Sequence, residues 1–188
     1  MRKTPTSSKN NASAKNGLKP LMSGAEIHKA IKKISKRIDK DYAGKTPLLV
    51  VTLKGSFLFA ADIMKELKIE SGLSFIRASS YGTKKEPLKR PDILYAEPSE
   101  FYGRHIIIIE DIIDRGVTID AIVKYVMNHS PASVAICALL IRGRGMAKIA
   151  RYHGKIIGKG FAVGYGLDYK EQHRGLKGIY ALKNVKKE

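Results

Sequence analysis

The sequence predicts an α/β fold: an open, mostly parallel twisted sheet flanked by helices. Three observations carry that expectation. The runs "PLLVVTL" (47–53), "IIIIE" (106–110) and "SVAICALLI" (133–141) are almost unbroken apolar stretches, as in strands buried on both faces. Segments with apolar residues at helical spacing lie between them. The order strand, turn, helix, strand, strand, helix, strand is that of an open sheet whose neighbours run mostly parallel.

Residues 1–20 are rich in Ser, Thr, Asn and Lys. They cannot bury enough apolar surface to offset chain entropy, which predicts a disordered basic tail and a single domain over 21–188. Ser23 followed by Glu26 is a capping box, and Ile27, Ala30, Ile31, Ile34 and Ile38 follow at helical spacing. After the strand 47–53 and the turn "KGS", Ala60, Ile63, Met64 and Leu67 mark a second amphipathic helix. "LSFIRASSYG" (73–82) reads as a strand. The polar "TKKEPLKRP" (83–91), with two prolines, reads as a long mobile loop. The strand 106–110 leads through a glycine turn into a helix with Ile119, Ile122, Val123, Val126 and Met127 on one face. "RGRG" breaks the chain after the strand 133–141, and "KGFAVGYGLDY" (159–169) supplies a last strand and loop.

Of the 188 residues, 35 are Lys or Arg and 17 are Asp or Glu, a formal net charge of +18. Such a balance points to anionic partners: nucleic acid, anionic lipid or small phosphorylated substrates. The tail accounts for only five of the basic residues, so the globular part is itself basic. Cys137 is the only cysteine, which excludes an intrachain disulfide and Cys-x-x-Cys metal sites. No stretch has the ~18 uncharged apolar residues that span a bilayer. The first twenty residues lack the apolar core of a secretory signal, so the expectation is a cytoplasmic protein.

The stretch "IIIIEDIIDRGVTID" (106–120) sets Glu110, Asp111 and Asp114, a glycine and a helix start behind a greasy strand. In open α/β sheets ligands sit beyond the carboxyl ends of strands, where residues 110–118 lie. Gly116 allows a tight turn, and the N–H groups at the following helix start suit a phosphate. Thr118 adds a hydroxyl, while Glu110 and Asp111 suit hydroxyls or a Mg²⁺-linked diol. A ligand with a phosphate at one end and a sugar diol in the middle would fit; a solvated acidic loop is the plainer alternative.

This stretch resembles the phosphoribosyl-diphosphate signature of the type I phosphoribosyltransferases. "LKGSFLFAADIMKEL" (53–67), "SSYGT" (79–83) and "FAVGYGLDYKEQHR" (161–174) are similar, in order and spacing, to further motifs of the hypoxanthine-guanine branch of that family. The likeness covers roughly residues 20–182. It implies the family fold with a small hood region beside the sheet. It also implies transfer of a 5-phosphoribosyl group from phosphoribosyl diphosphate to N9 of hypoxanthine or guanine, with Mg²⁺ required and diphosphate leaving. A homo-oligomer, dimer or tetramer, is implied too, with no nucleic-acid or membrane partner.

The resemblance assigns roles. Glu110 and Asp111 would hold the ribose hydroxyls directly or through Mg²⁺, and Asp114 would accept a proton near purine N7. The backbone from Asp114 through Arg115, Gly116 and Val117 to Thr118 would wrap the 5′-phosphate. Leu53, Lys54 and Gly55 would bind diphosphate in a turn that often carries a cis peptide in the family. The plainer readings are an ordinary turn at 53–55 and a helix cap at Asp114. Ser80 and Tyr81 would begin a lid, and Arg174 would contact diphosphate. Phe161 would stack on the purine. Ala162 and Asp168 would face its C2 side, with Asp168 also reaching Mg²⁺ through solvent.

The chain departs from the family at three places. Arg115 stands where a hydroxyl residue is usual, Val117 where a basic or polar one is common, and Arg142 at the position of the lysine that donates to purine O6. Arginine offers a planar fork instead of a point charge. These changes bear on affinity and base preference. Two other functions compete: a non-catalytic sensor of phosphoribosyl diphosphate, favoured by Arg115 and Val117, and a nucleic-acid binder, favoured only by charge.

Overall fold

The structure, a computed structural model, describes residues 17–81 and 87–182, including side chains except those of residues 79–90. Among the described residues nine strands form two sheets, accompanied by three α-helices. β1 is Leu18–Met22, α1 Gly24–Asp41, β2 Leu48–Thr52, α2 Phe57–Glu66, β3 Gly72–Tyr81 and β4 Pro87–Ala96. β5 is His105–Ile113, α3 Val117–Met127, β6 Ser133–Arg142, β7 Tyr152–Ile157, β8 Phe161–Val163 and β9 Ile179–Leu182. The large sheet has the order β4-β3-β2-β5-β6-β7. All its neighbours are parallel except the antiparallel pair β3/β4. The small sheet has the order β1-β9-β8, stands beside the large one and supplies the hood.

The apolar runs behave as strands between two layers. Successive side chains of a strand point to opposite faces. Leu49, Val51, Ile107 and Ile109 therefore pack with Ile27, Ile31, Ile34 and Ile38 of α1 and Phe59 and Ile63 of α2. Leu48, Val50, Ile106 and Ile108 pack on the opposite face with Ile119, Ile122 and Val126 of α3. Ile106 to Ile109 are fully buried. Each such side chain, taken from water, contributes roughly 1.5–3 kcal/mol. The capping box forms as predicted. The Ser23 hydroxyl accepts from the Glu26 N–H, and the Glu26 carboxylate accepts from the Ser23 N–H at 2.8 Å.

The structure corrects the sequence reading in five places. Residues 87–91 belong to β4 instead of a loop. β4 is an outer strand, where a proline need not supply a ladder N–H. β5 continues to Ile113, so Glu110 and Asp111 lie in a strand; β6 runs on to Arg142 and pairs Ile141 with Ile113. β7, unrecognised in "YHGKII", forms the other edge, and a Cβ at Gly154 would meet the Leu139 carbonyl of β6. β1 begins at Leu18, inside the stretch whose composition reads as tail, because it pairs with β9. The tail's first sixteen residues lie outside the described residues. Met127 is exposed, unlike its helical neighbours Ile122 and Val126.

Candidate active site

The carboxyl ends of β2, β5 and β6 and the hood loop after β8 face one cleft of about 1020 Å³. It brings together Leu53, Lys54 and Gly55 from the turn after β2, with Asp111, Asp114 and Arg115 from the end of β5. Arg142 enters from the end of β6, and Phe161, Ala162, Asp168 and Arg174 from the hood. Eleven of the seventeen residues assigned from sequence line this one opening. Glu110, Gly116, Val117 and Thr118 lie behind or beside its lining. Ser80 and Tyr81 end β3 next to it, and their side chains lie outside the described residues.

The floor is set by backbone contact. The Leu53–Lys54 peptide is cis. A Cβ at Gly55 would collide with the Asp111 carboxylate, and a Cβ at Gly166 would collide with the Gly55 carbonyl oxygen. Gly166 also has φ +96°, which only glycine adopts freely. The turn after β2, the acid of β5 and the hood loop are thus stacked without an intervening side chain. Gly166 was not singled out from sequence; its signal was the second glycine of "GYG".

Glu110 is buried, and its Oε1 accepts from the Thr52 hydroxyl at 2.9 Å and the Asp111 N–H at 3.1 Å. Burial, then the neighbouring Asp111 charge, pushes its pKa well above the usual carboxylate range. Burial raises that of Asp111 too, opposed by hydrogen bonds that include the Ile112 N–H, 2.7 Å from Oδ1. Two carboxylates held side by side against their own charge make a site that gains from a cation or from hydroxyl donors.

The N-cap of α3 is Gly116, with φ +79° and no side-chain cap. Asp114 is therefore not a helix cap, and the first N–H groups of α3 are left to an anion. Asp114 instead makes an ion pair with Arg142, Nε to Oδ1 at 3.0 Å, while Arg142 Nη1 donates to the Gly158 carbonyl. Sequence alone gave no sign that the residue assigned to N7 and the one assigned to O6 are joined.

On the hood side Arg174 donates to the Gly166 carbonyl at 2.8 Å and pairs with Asp168 at 2.7 Å. Glu171, also missed from sequence, pairs with Arg174 at 3.1 Å and Lys54 at 3.3 Å. Those two cations, Arg174 first, hold its carboxyl below the usual range. Phe161 is 41% exposed, lines the cleft and stands T-shaped to Tyr169 with ring centroids 5.3 Å apart.

Among the described residues no three acids, histidines or cysteines converge as a protein-only metal cage. Mg²⁺ is commonly held by one or two carboxylates plus substrate oxygens and waters, and Asp111 and Asp168, which both line the cleft, fit that mode.

The sequence profile of the phosphoribosyl transferase domain matches residues 21–170. The chain is 39% identical over 167 residues to a hypoxanthine-guanine phosphoribosyltransferase of Streptococcus pneumoniae, covering 88% of this chain and 93% of that protein. Crystal structures of a hypoxanthine-guanine phosphoribosyltransferase of Bacillus anthracis and a hypoxanthine phosphoribosyltransferase of Staphylococcus aureus superpose with TM-scores of 0.79 and 0.82. Identities are 32% and 31%, with 87% and 93% of this chain and 98% and 97% of those chains covered. By the domain match over most of its length, the sequence identity to these proteins and the shared fold, the chain belongs to the phosphoribosyl transferase domain family.

Proposed function

We propose that this protein transfers the 5-phosphoribosyl group of phosphoribosyl diphosphate to N9 of hypoxanthine or guanine, giving IMP or GMP and diphosphate, in purine salvage. The observation that carries the reading is the single cleft joining the acid pair, the Leu53–Gly55 turn, Arg142, Phe161 and Arg174. The bond from C1′ to the diphosphate oxygen breaks, the bond from C1′ to N9 forms, and positive charge develops at C1′ between them. Catalysis of this kind is mostly positioning and charge stabilisation.

The uncapped start of α3 and the loop from Asp114 to Thr118 hold the 5′-phosphate, with Arg115 beside it. Glu110 and Asp111 orient the ribose hydroxyls. Lys54, Gly55 and Arg174 hold diphosphate. Phe161 stacks on the purine, the Ala162 backbone and Asp168 face its C2 edge, and Arg142 donates to O6. Asp114 takes the imidazole proton near N7; its bond to Arg142 keeps it turned toward the purine edge that Arg142 reads. Mg²⁺, bound through Asp111, Glu110 and Asp168 together with substrate oxygens, would neutralise charge on the sugar hydroxyls and the leaving group.

The reading includes a cytoplasmic location, since a sugar polyphosphate does not cross a membrane unaided. It also includes a homo-oligomer, dimer or tetramer. Leu73, Phe75 and Tyr95 are exposed on one face of the β3/β4 pair and support such an assembly. The test is nucleotide formation from phosphoribosyl diphosphate and Mg²⁺ with hypoxanthine, guanine, xanthine and adenine in turn. Turnover with the first two is expected. No turnover with either, in folded protein, would overturn the reading and leave a sensor of phosphoribosyl diphosphate.

A further inference from the structure

Glu171 had no part in the sequence reading, yet it touches both cations assigned to diphosphate. Its Oε1 lies 3.3 Å from Lys54 Nζ and its Oε2 lies 3.1 Å from Arg174 Nη2. One carboxylate thus spans from the turn after β2 to the hood, with one oxygen for each cation. A diphosphate bridging the same two groups would place oxygens in the same way. We propose that Glu171 is an internal counter-ion of the diphosphate site, occupying Lys54 and Arg174 in the resting protein and displaced from them by diphosphate. The proposal rests on the diphosphate reading of that site.

The geometry decides which acid gives way. Arg174 is committed on both sides: Nη1 to the Gly166 carbonyl at 2.8 Å, Nη2 to Asp168 at 2.7 Å and to Glu171 at 3.1 Å. An incoming oxygen on Nη2 must therefore replace a carboxylate. Asp168 is the closer and its side chain is 27% exposed, whereas that of Glu171 is 68% exposed. Exposed ion pairs are weak, so Glu171 is the one that exchanges. Its backbone stays behind as an anchor. The Glu171 N–H donates to Asp168 Oδ2 at 2.9 Å, and Lys170, Glu171 and His173 have φ of +51°, +60° and +75°. A run of non-glycine residues in the left-handed region persists only where surrounding structure holds it. The loop is built to keep that carboxylate over the cleft.

The sign of the effect separates this role from simple scaffolding. Glu171→Gln keeps the shape and removes the competing charge. Calorimetry of the full chain with inorganic diphosphate and Mg²⁺ should show binding tightened roughly three- to tenfold, the range expected when weak exposed pairs no longer oppose the ligand. The KM for phosphoribosyl diphosphate should fall by a similar factor. Glu171→Asp, which restores the charge, should move both values back toward wild type. Unchanged or weaker diphosphate binding in Glu171→Gln, with wild type binding diphosphate and Arg174→Ala binding it poorly, overturns the counter-ion role and leaves the site reading standing. Absence of diphosphate binding in wild type overturns both.

Discussion

The cleft has two acidic walls that treat their charges in opposite ways. On the sheet side, Glu110 and Asp111 sit at the end of a strand, and burial raises their pKa values. On the hood side, Asp168 and Glu171 sit in a loop and are neutralised by Arg174 and Lys54. The sheet side is short of positive charge and the hood side holds it in store. A substrate carrying a cation at its sugar and anionic oxygens at its leaving group meets a need on each wall. The difference shows that acids in one cleft can be prepared by desolvation or by pairing, and that only the first costs the fold stability.

The largest expected effect lies where the sheet side meets the purine. Asp114→Asn keeps the shape and the contact to Arg142 but removes the proton acceptor. A fall in kcat of roughly 10- to 10³-fold is expected, with KM little changed. A raised KM with unchanged kcat would make Asp114 a binding residue.

Gly166→Ala attacks the junction of the two walls. The added Cβ meets the Gly55 carbonyl at a φ of +96°. Urea unfolding should show a loss of roughly 2–4 kcal/mol, in the range of strain combined with a clash. A neutral result would mean that the hood can move off the turn without penalty.

Arg115→Thr tests whether the sheet side borrows a cation of its own. Arg115 is exposed and lines the cleft. If its guanidinium meets the 5′-phosphate, IMP binding weakens by roughly ten- to a hundredfold, as for one charge-assisted contact. Equal affinity and an equal salt slope in both proteins would make it surface charge.

Glu110→Gln gives the smallest effect and the most direct one on the comparison. The folded-state pKa of Glu110 is raised, so the folded protein binds more protons than the unfolded chain. Stability then falls as pH rises from the ordinary carboxylate range toward the folded pKa. Without divalent metal, the Gln variant should be more stable than wild type at neutral pH. That advantage should vanish below about pH 4, where both forms are neutral. A destabilised Gln variant at neutral pH would show that the Thr52 bond needs the charge.

The sheet side was more fully legible in sequence than the hood. Ile106 to Ile109 announce a doubly buried strand, and the glycine at 116 announces the helix start. Ser23 and Glu26 announce their own bond. These are local signals, each carried by neighbours in the chain. β1 and β9 are short and become strands by pairing with each other across most of the sequence, whereas β8 falls within the strand and loop expected over 159–169. β4 and β7 are edge strands whose prolines and polar residues mask the period. The family resemblance supplied positions for Arg142, Asp114 and Arg174 but not their bonds. Those depend on where β6 and the hood loop bring side chains of distant number together, which explains why Glu171 went unnoticed.

The pairing of β1 with β9 sets Leu18 against Leu182, and β9 in turn holds β8, which carries Phe161 and Ala162. During synthesis the sheet side can assemble once the chain has passed Arg142, since β2, β5 and β6 have then all been made. The small sheet must wait for its central strand, β9, to leave the ribosome. A nascent chain halted before Ile179 would hold the acidic end of β5 without the strand that β1 and β8 pair with.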